Sequence, residues 1–201
     1  MGSITHVSAN PDRRRSASWH FPCCLSLALV ATACAPSRQD FGIRLSDLNV
    51  TASPAGIRIE ARQDIRLSGD ARAALRNGVP LKIRVDMALQ KSGQWSATKD
   101  ESIFYEIQYL PLSDRFQLSG PLPDDQPRTY PRLRHIIAEM ASIDWQLDDI
   151  SDGPGQYNLS LRSQLDRGSM PGPMQLPMLF SSQWAHDSGW VSQDFEIKAE
   201  S

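Results

Sequence analysis

Of the four histidines, His6 and His20 fall in the first twenty residues, which leaves His135 and His186 as the imidazoles available for acid–base or metal chemistry further along the chain. His186 stands in Trp184-Ala185-His186-Asp187-Ser188, where an imidazole, a carboxylate and a hydroxyl are the group types of a hydrolytic triad. Direct neighbours on an extended chain alternate faces, however, and do not readily converge on one reacting atom. His135 sits between Arg134 and Ile136 in a helix-like stretch and reads as a flank residue. Asp124-Asp125, Asp148-Asp149 and Asp152 carry the oxygens that Ca²⁺ takes, but without calcium-loop spacing they read as solvated turns. The sequence has no His-Glu-x-x-His pair, no Gly-x-Ser-x-Gly elbow and no glycine-rich phosphate loop. The expectation is therefore a non-enzymatic chain with no cofactor and no metal, with a hydrolase using His186 as the third reading. Contact is a different kind of chemistry. Trp184 and Trp190 flank a polar segment and are candidates for an interaction surface, whereas Trp145 alternates with Ile143 and Leu147 and reads as core.

The three cysteines, Cys23, Cys24 and Cys34, all lie near the start. Arg13-Arg14-Arg15 precede a largely apolar run over residues 21–33 that ends in small side chains. This is the layout of a secretory signal, whose apolar segment of about 7–15 residues is too short for a permanent anchor of about 20. Val30-Ala31-Thr32-Ala33-Cys34 resembles the lipobox of bacterial lipoproteins, with Ala31 where Leu is usual. Cysteine is needed there because a thiol takes the diacylglyceryl group as a thioether. Each buried CH₂ of an acyl chain then contributes about 0.8 kcal/mol, so two or three chains hold firmly. The resemblance implies a signal peptide over residues 1–33 and a lipidated tether over 34–40, ahead of a single β-rich domain expected over 41–201. It implies contact with the membrane through lipid on Cys34, in the cell envelope. Ala35 in place of Asp favours the periplasmic face of the outer membrane over the inner membrane. Cys23 and Cys24 would leave with the signal and Cys34 would be consumed by lipid, so the domain must hold itself by its core rather than by disulfides.

A chain that is 40% hydrophobic and 22% charged can bury one core, and a net charge of -2 gives no electrostatic reason to expect nucleic acid as a partner. Alternation of apolar and charged residues predicts strands at 57–62 and 81–87, each with one wet face. Further strands are predicted at 41–50, 104–110, 115–118, 143–147, 157–163 and in parts of 183–197. A helix is predicted over 131–142, with Leu133, Ile136, Ile137 and Met140 at the spacing of one buried face. A shorter one follows Ser68 and stops at Asn77-Gly78. Residues 120–131, rich in proline, predict an exposed loop, and 176–180 a single helical turn. The expected fold is mainly β, an antiparallel sheet or sandwich with two or three short helices, with α+β as the alternative.

Ile65-Arg66-Leu67-Ser68, Ala74-Leu75-Arg76-Asn77-Gly78-Val79-Pro80-Leu81, Tyr105-Glu106-Ile107-Gln108-Tyr109, the stretch 157–166, Met170-Pro171-Gly172-Pro173 and Trp184 follow one another in an order that resembles the bacterial family catalogued as domain of unknown function 4390. Its members are often labelled proline-rich signal peptide proteins. The resemblance spans about 41–190 and implies an exported envelope protein, often encoded near a sensor kinase, with no catalytic residues to carry over. The expected role is a binding or assembly module for a periplasmic or membrane partner, protein or lipid. The alternative is a carrier of an apolar ligand such as a lipid, held between the sheet and the face of Leu133, Ile136, Ile137 and Met140.

Overall fold

The computed structural model describes residues 40–53, 56–148, 153–173 and 180–198. The signal segment, Cys34, Asp149 and Asp152 lie outside them, as does most of the helical turn expected at 176–180. Strand β1 (Gly42–Ser53) and strand β2 (Gly56–Arg66) form a hairpin, and helix α1 (Gly69–Arg76) carries the chain on to β3 (Leu81–Lys91). There follow β4 (Lys99–Leu110), β5 (Arg115–Ser119), β6 (Arg128–Tyr130), helix α2 (Leu133–Glu139), β7 (Ser142–Leu147), β8 (Gly155–Leu165) and β9 (Val191–Ile197). They form two antiparallel sheets, ordered β1-β2-β7 and β6-β5-β4-β3-β8-β9, so the chain is mainly β as expected.

Alternation in the sequence becomes alternation in burial. Ile57, Ile59, Ala61 and Ile65 of β2 point inward, as do Leu81, Ile83, Val85, Met87 and Leu89 of β3 and Tyr157, Leu159, Leu161 and Leu165 of β8. The apolar faces of both sheets share one core, in which each large aliphatic side chain contributes about 1.5–3 kcal/mol by leaving water. Where β2 starts, Gly56 has φ +122, and a Cβ there would lie 2.3 Å from the Leu147 carbonyl oxygen. Only glycine lets the hairpin sit that close to β7.

Ser68 caps α1, its hydroxyl accepting from the Ala71 N–H at 3.1 Å, and the helix stops at Asn77-Gly78 as the sequence predicts. Helix α2 is shorter than the predicted 131–142. Gln63 of β2 donates its backbone N–H to the Ala141 carbonyl at 2.9 Å, so sheet pairing captures the chain and Ser142 opens β7. The predicted loop at 120–131 is also corrected, because β6 lies within it. This three-residue edge strand is tied down by Arg128, which reaches Asp124 at 2.6 Å and Glu139 at 3.1 Å.

Register fixes the two ends of the domain. Gly42 pairs with Arg66, Leu81 with Ile107, Leu110 with Arg115 and Phe116 with Tyr130. The start of β1, all of α1, the turn at 111–114 and the start of α2 therefore gather at one end, where the chain also enters through Asp40. The turn joining β3 to β4 lies at the other end.

Candidate functional site

A 3₁₀ turn at Ser182–Trp184 brings the late polar segment back over the end of β8. It buries Trp184, 6% exposed, and leaves Trp190 51% exposed, so of the two tryptophans read as a surface only Trp190 is on one. The turn also places His186 inside, at 1% exposure. Its Nε2 accepts a hydrogen bond from the backbone N–H of Ser68 at 2.9 Å, and its ring lies 5.3 Å from that of Phe41. An accepting Nε2 makes the neutral imidazole carry its proton on Nδ1, which is buried. Burial pushes the His186 pKa below its ordinary value, and the Trp184 carbonyl draws it part of the way back. His186 thus joins the late segment to the cap of α1.

The neighbours of His186 serve other partners. Asp187 takes both arms of Arg162, with Nε donating to Oδ1 at 3.0 Å and Nη2 to Oδ2, and it accepts the Gly189 N–H at 2.8 Å. Arg162 holds the Asp187 carboxyl below the usual carboxylate range. Ser188 Oγ accepts the Ser163 N–H at 2.9 Å and donates to the Gly189 carbonyl at 2.7 Å. The imidazole, carboxylate and hydroxyl that stand side by side in sequence diverge in space. Above them the Arg162 guanidinium lies 5.9 Å from the centre of the Trp190 ring, within cation–π range.

His135 lies on α2, half-buried, and its Nε2 accepts from Arg134 Nε at 3.4 Å. Among the described residues no three His, Cys, Asp or Glu side chains gather as a metal site would require. Open surface grooves occur among the described residues. One of about 320 Å³ is bordered by Asp40, Phe41, Arg44, Asp64, Arg66 and Asp187, and one of about 250 Å³ lies on the outer face of β1, β2 and β7 beside Asp47 and Arg62. No helix among the described residues is long and apolar enough to cross a membrane.

One polar link was missed by sequence reasoning. Gln63 Nε2 donates to the Met140 carbonyl at 2.6 Å, and Gln63 Oε1 accepts from Ser163 Oγ at 2.8 Å, which joins the two sheets through their core. Both residues are buried, at 4% and 0% exposure. The signal was present, because Gln63 and Ser163 interrupt otherwise apolar alternating positions of β2 and β8.

No curated protein and no solved structure matches the chain in comparison. Residues 41–194, which run from the residue before β1 into β9, match the family model described as Domain of unknown function (DUF4390). That span takes in both sheets, both helices and the His186 segment, and the chain belongs to the DUF4390 family.

Proposed function

We propose that the chain is an envelope lipoprotein, held by lipid on Cys34 at the periplasmic face of the outer membrane, whose domain binds a periplasmic or membrane partner and performs no catalysis. Trp190 carries the binding part of this reading. Its indole is half exposed while lying over Arg162, which Asp187 clamps with two hydrogen bonds. A large aromatic surface held in place before docking loses little rotamer freedom on contact, which is why such residues anchor interfaces. The carrier reading draws less support, because Ile136 and Met140 of the face it would use are already packed into the core. A hydrolase centred on His186 draws less still, since the Ser68 amide already occupies the nitrogen that would act as base.

The test places a photoreactive residue at position 190 of the full-length chain in its native cells, and in a second variant at Trp95, which is fully exposed on the β3–β4 turn. A discrete crosslinked product from position 190 and not from position 95 is expected. No product at 190, or the same products from both positions, overturns the binding role. The intact mass of the extracted chain reads the tether, and a chain without acyl groups on Cys34 overturns the lipoprotein part.

A further inference from the structure

The end at which the chain enters the domain is also where arginines without acidic partners collect. Arg72 and Arg76 lie exposed on α1, and Arg132 and Arg134 lie exposed at the start of α2. None of the four forms an ion pair among the described residues. Arg115, at the first position of β5, adds a fifth guanidinium, whose Nη2 donates to the Thr129 carbonyl at 3.3 Å. The acids of this end are largely engaged within the chain. Asp64 is held by Arg66 and Asp187 is clamped by Arg162, which leaves against the five arginines Asp40, Asp70, Asp114, which accepts from the Tyr109 hydroxyl at 2.8 Å, and Asp166, which accepts the Gly168 N–H at 3.1 Å. The opposite end is mixed in sign, with Lys91, Lys99 and Lys198 beside Asp100, Asp148 and Glu196.

Between the two arginine groups, the turn at 111–114 carries Leu112, an apolar side chain fully in water at 106% exposure. Arg76 is close enough to Tyr109, beside this turn, to act on its hydroxyl through charge, which ties α1 to the same surface. A single apolar tip among cations is what a domain presents when it rests on a bilayer, with the apolar group entering the interface and the cations meeting headgroups.

We propose that this end docks onto an anionic phospholipid surface, with Leu112 inserting and the arginines of α1 and α2 contacting headgroup phosphates. The inference rests on the lipoprotein reading for its geometry. A tether over 34–40 reaches at most about 25 Å when fully extended, and it enters the domain at this end. Bilayer contact and tether then cooperate, because the anchor raises the effective concentration of headgroups at this end.

The test uses the full chain with Cys34→Ser, so that lipid cannot contribute, and vesicles of phosphatidylethanolamine with about a third phosphatidylglycerol, against vesicles of phosphatidylcholine alone. Co-sedimentation with the anionic vesicles is expected, falling steeply with added salt, and absent with the neutral ones. Each arginine near such a surface is worth about fivefold in partitioning, so R72Q/R76Q is expected to weaken binding by about 25-fold. L112E should also release the chain, while Lys198→Gln at the far end leaves binding unchanged. All these positions are exposed, and an unaltered melting temperature shows that each variant folds. No binding to anionic vesicles, equal binding to both kinds, or wild-type binding by R72Q/R76Q overturns the proposal, as does capture of an acidic protein by these arginines without any vesicle binding. Whether Cys34 carries lipid is read separately from the mass of the unmodified chain, so loss of the tether and loss of the docking surface give different results.

Discussion

Cutting the polar link between the sheets should destabilise the domain in a non-additive way. Ser163→Ala removes the hydroxyl and leaves Gln63 Oε1 buried without its donor, at a cost of about 1–3 kcal/mol. Gln63→Met keeps most of the volume but orphans two groups, the Ser163 hydroxyl and the Met140 carbonyl, for about 2–5 kcal/mol. The double variant leaves only the Met140 carbonyl unpaired and should cost about 1–3 kcal/mol, well short of the sum of the singles. In a domain of this size each kcal/mol moves the melting temperature by about 2–4 °C, so Ser163→Ala alone should lower it by about 2–12 °C. Urea unfolding of the four proteins, with the slope unchanged across them, gives the cycle. A double variant whose loss equals the sum of the singles within about 0.5 kcal/mol refutes the link.

Acid should weaken the fold through His186. Its folded pKa lies below the ordinary 6.5, so the unfolded chain takes up the proton first as pH falls. The stability from the neutral ring is fully present above about 6.5 and is lost from there down to the folded value. His186→Gln, which keeps an acceptor for the Ser68 N–H, should flatten the urea midpoint between about pH 7 and about pH 5, and an unchanged slope refutes the assignment. Ser68→Ala removes the α1 cap and should cost about 1 kcal/mol by urea unfolding, with no loss if the cap is not formed. Gly56→Ala should cost about 3 kcal/mol or more, since both its φ and the Leu147 carbonyl oppose a Cβ. Gly69→Ala, in open space on α1, should be neutral or stabilising by up to about 1 kcal/mol, and equal effects at the two glycines would refute the packing at Gly56.

Much of the architecture was legible because most strands have one dry face and one wet face, which writes their register directly into the sequence. The start and stop of α1 were legible for a different reason, since Ser68 and Asn77-Gly78 carry local capping chemistry. Three things were not. Strand β4 begins at Lys99, ahead of the predicted 104, because Lys99 and Glu101 occupy its inner-facing positions and hide the alternation. Strand β6 is three residues long and depends on β5 and on Arg128 rather than on its own pattern. The depth of His186 was invisible because its direct neighbours Ala185 and Asp187 remain at the surface, while a turn and a distant helix cap draw the ring inside. The same turn separates Trp184 from Trp190, which composition alone could not distinguish.

The strand order carries a consequence for how the chain is made. Neither sheet can be completed by an early part of the sequence. β2 waits for β7, as in the pairing of Ile57 with Leu147, and β3 waits for β8, as in that of Ile83 with Leu165. β2 lacks one neighbour until residue 147 is available and β3 lacks one until residue 165, so the nascent chain must close long loops before it gains most of its core. A secretory route of the kind proposed here carries unfolded chains. For such a chain, a topology that postpones its own closure keeps the polypeptide threadable until nearly all of it has crossed.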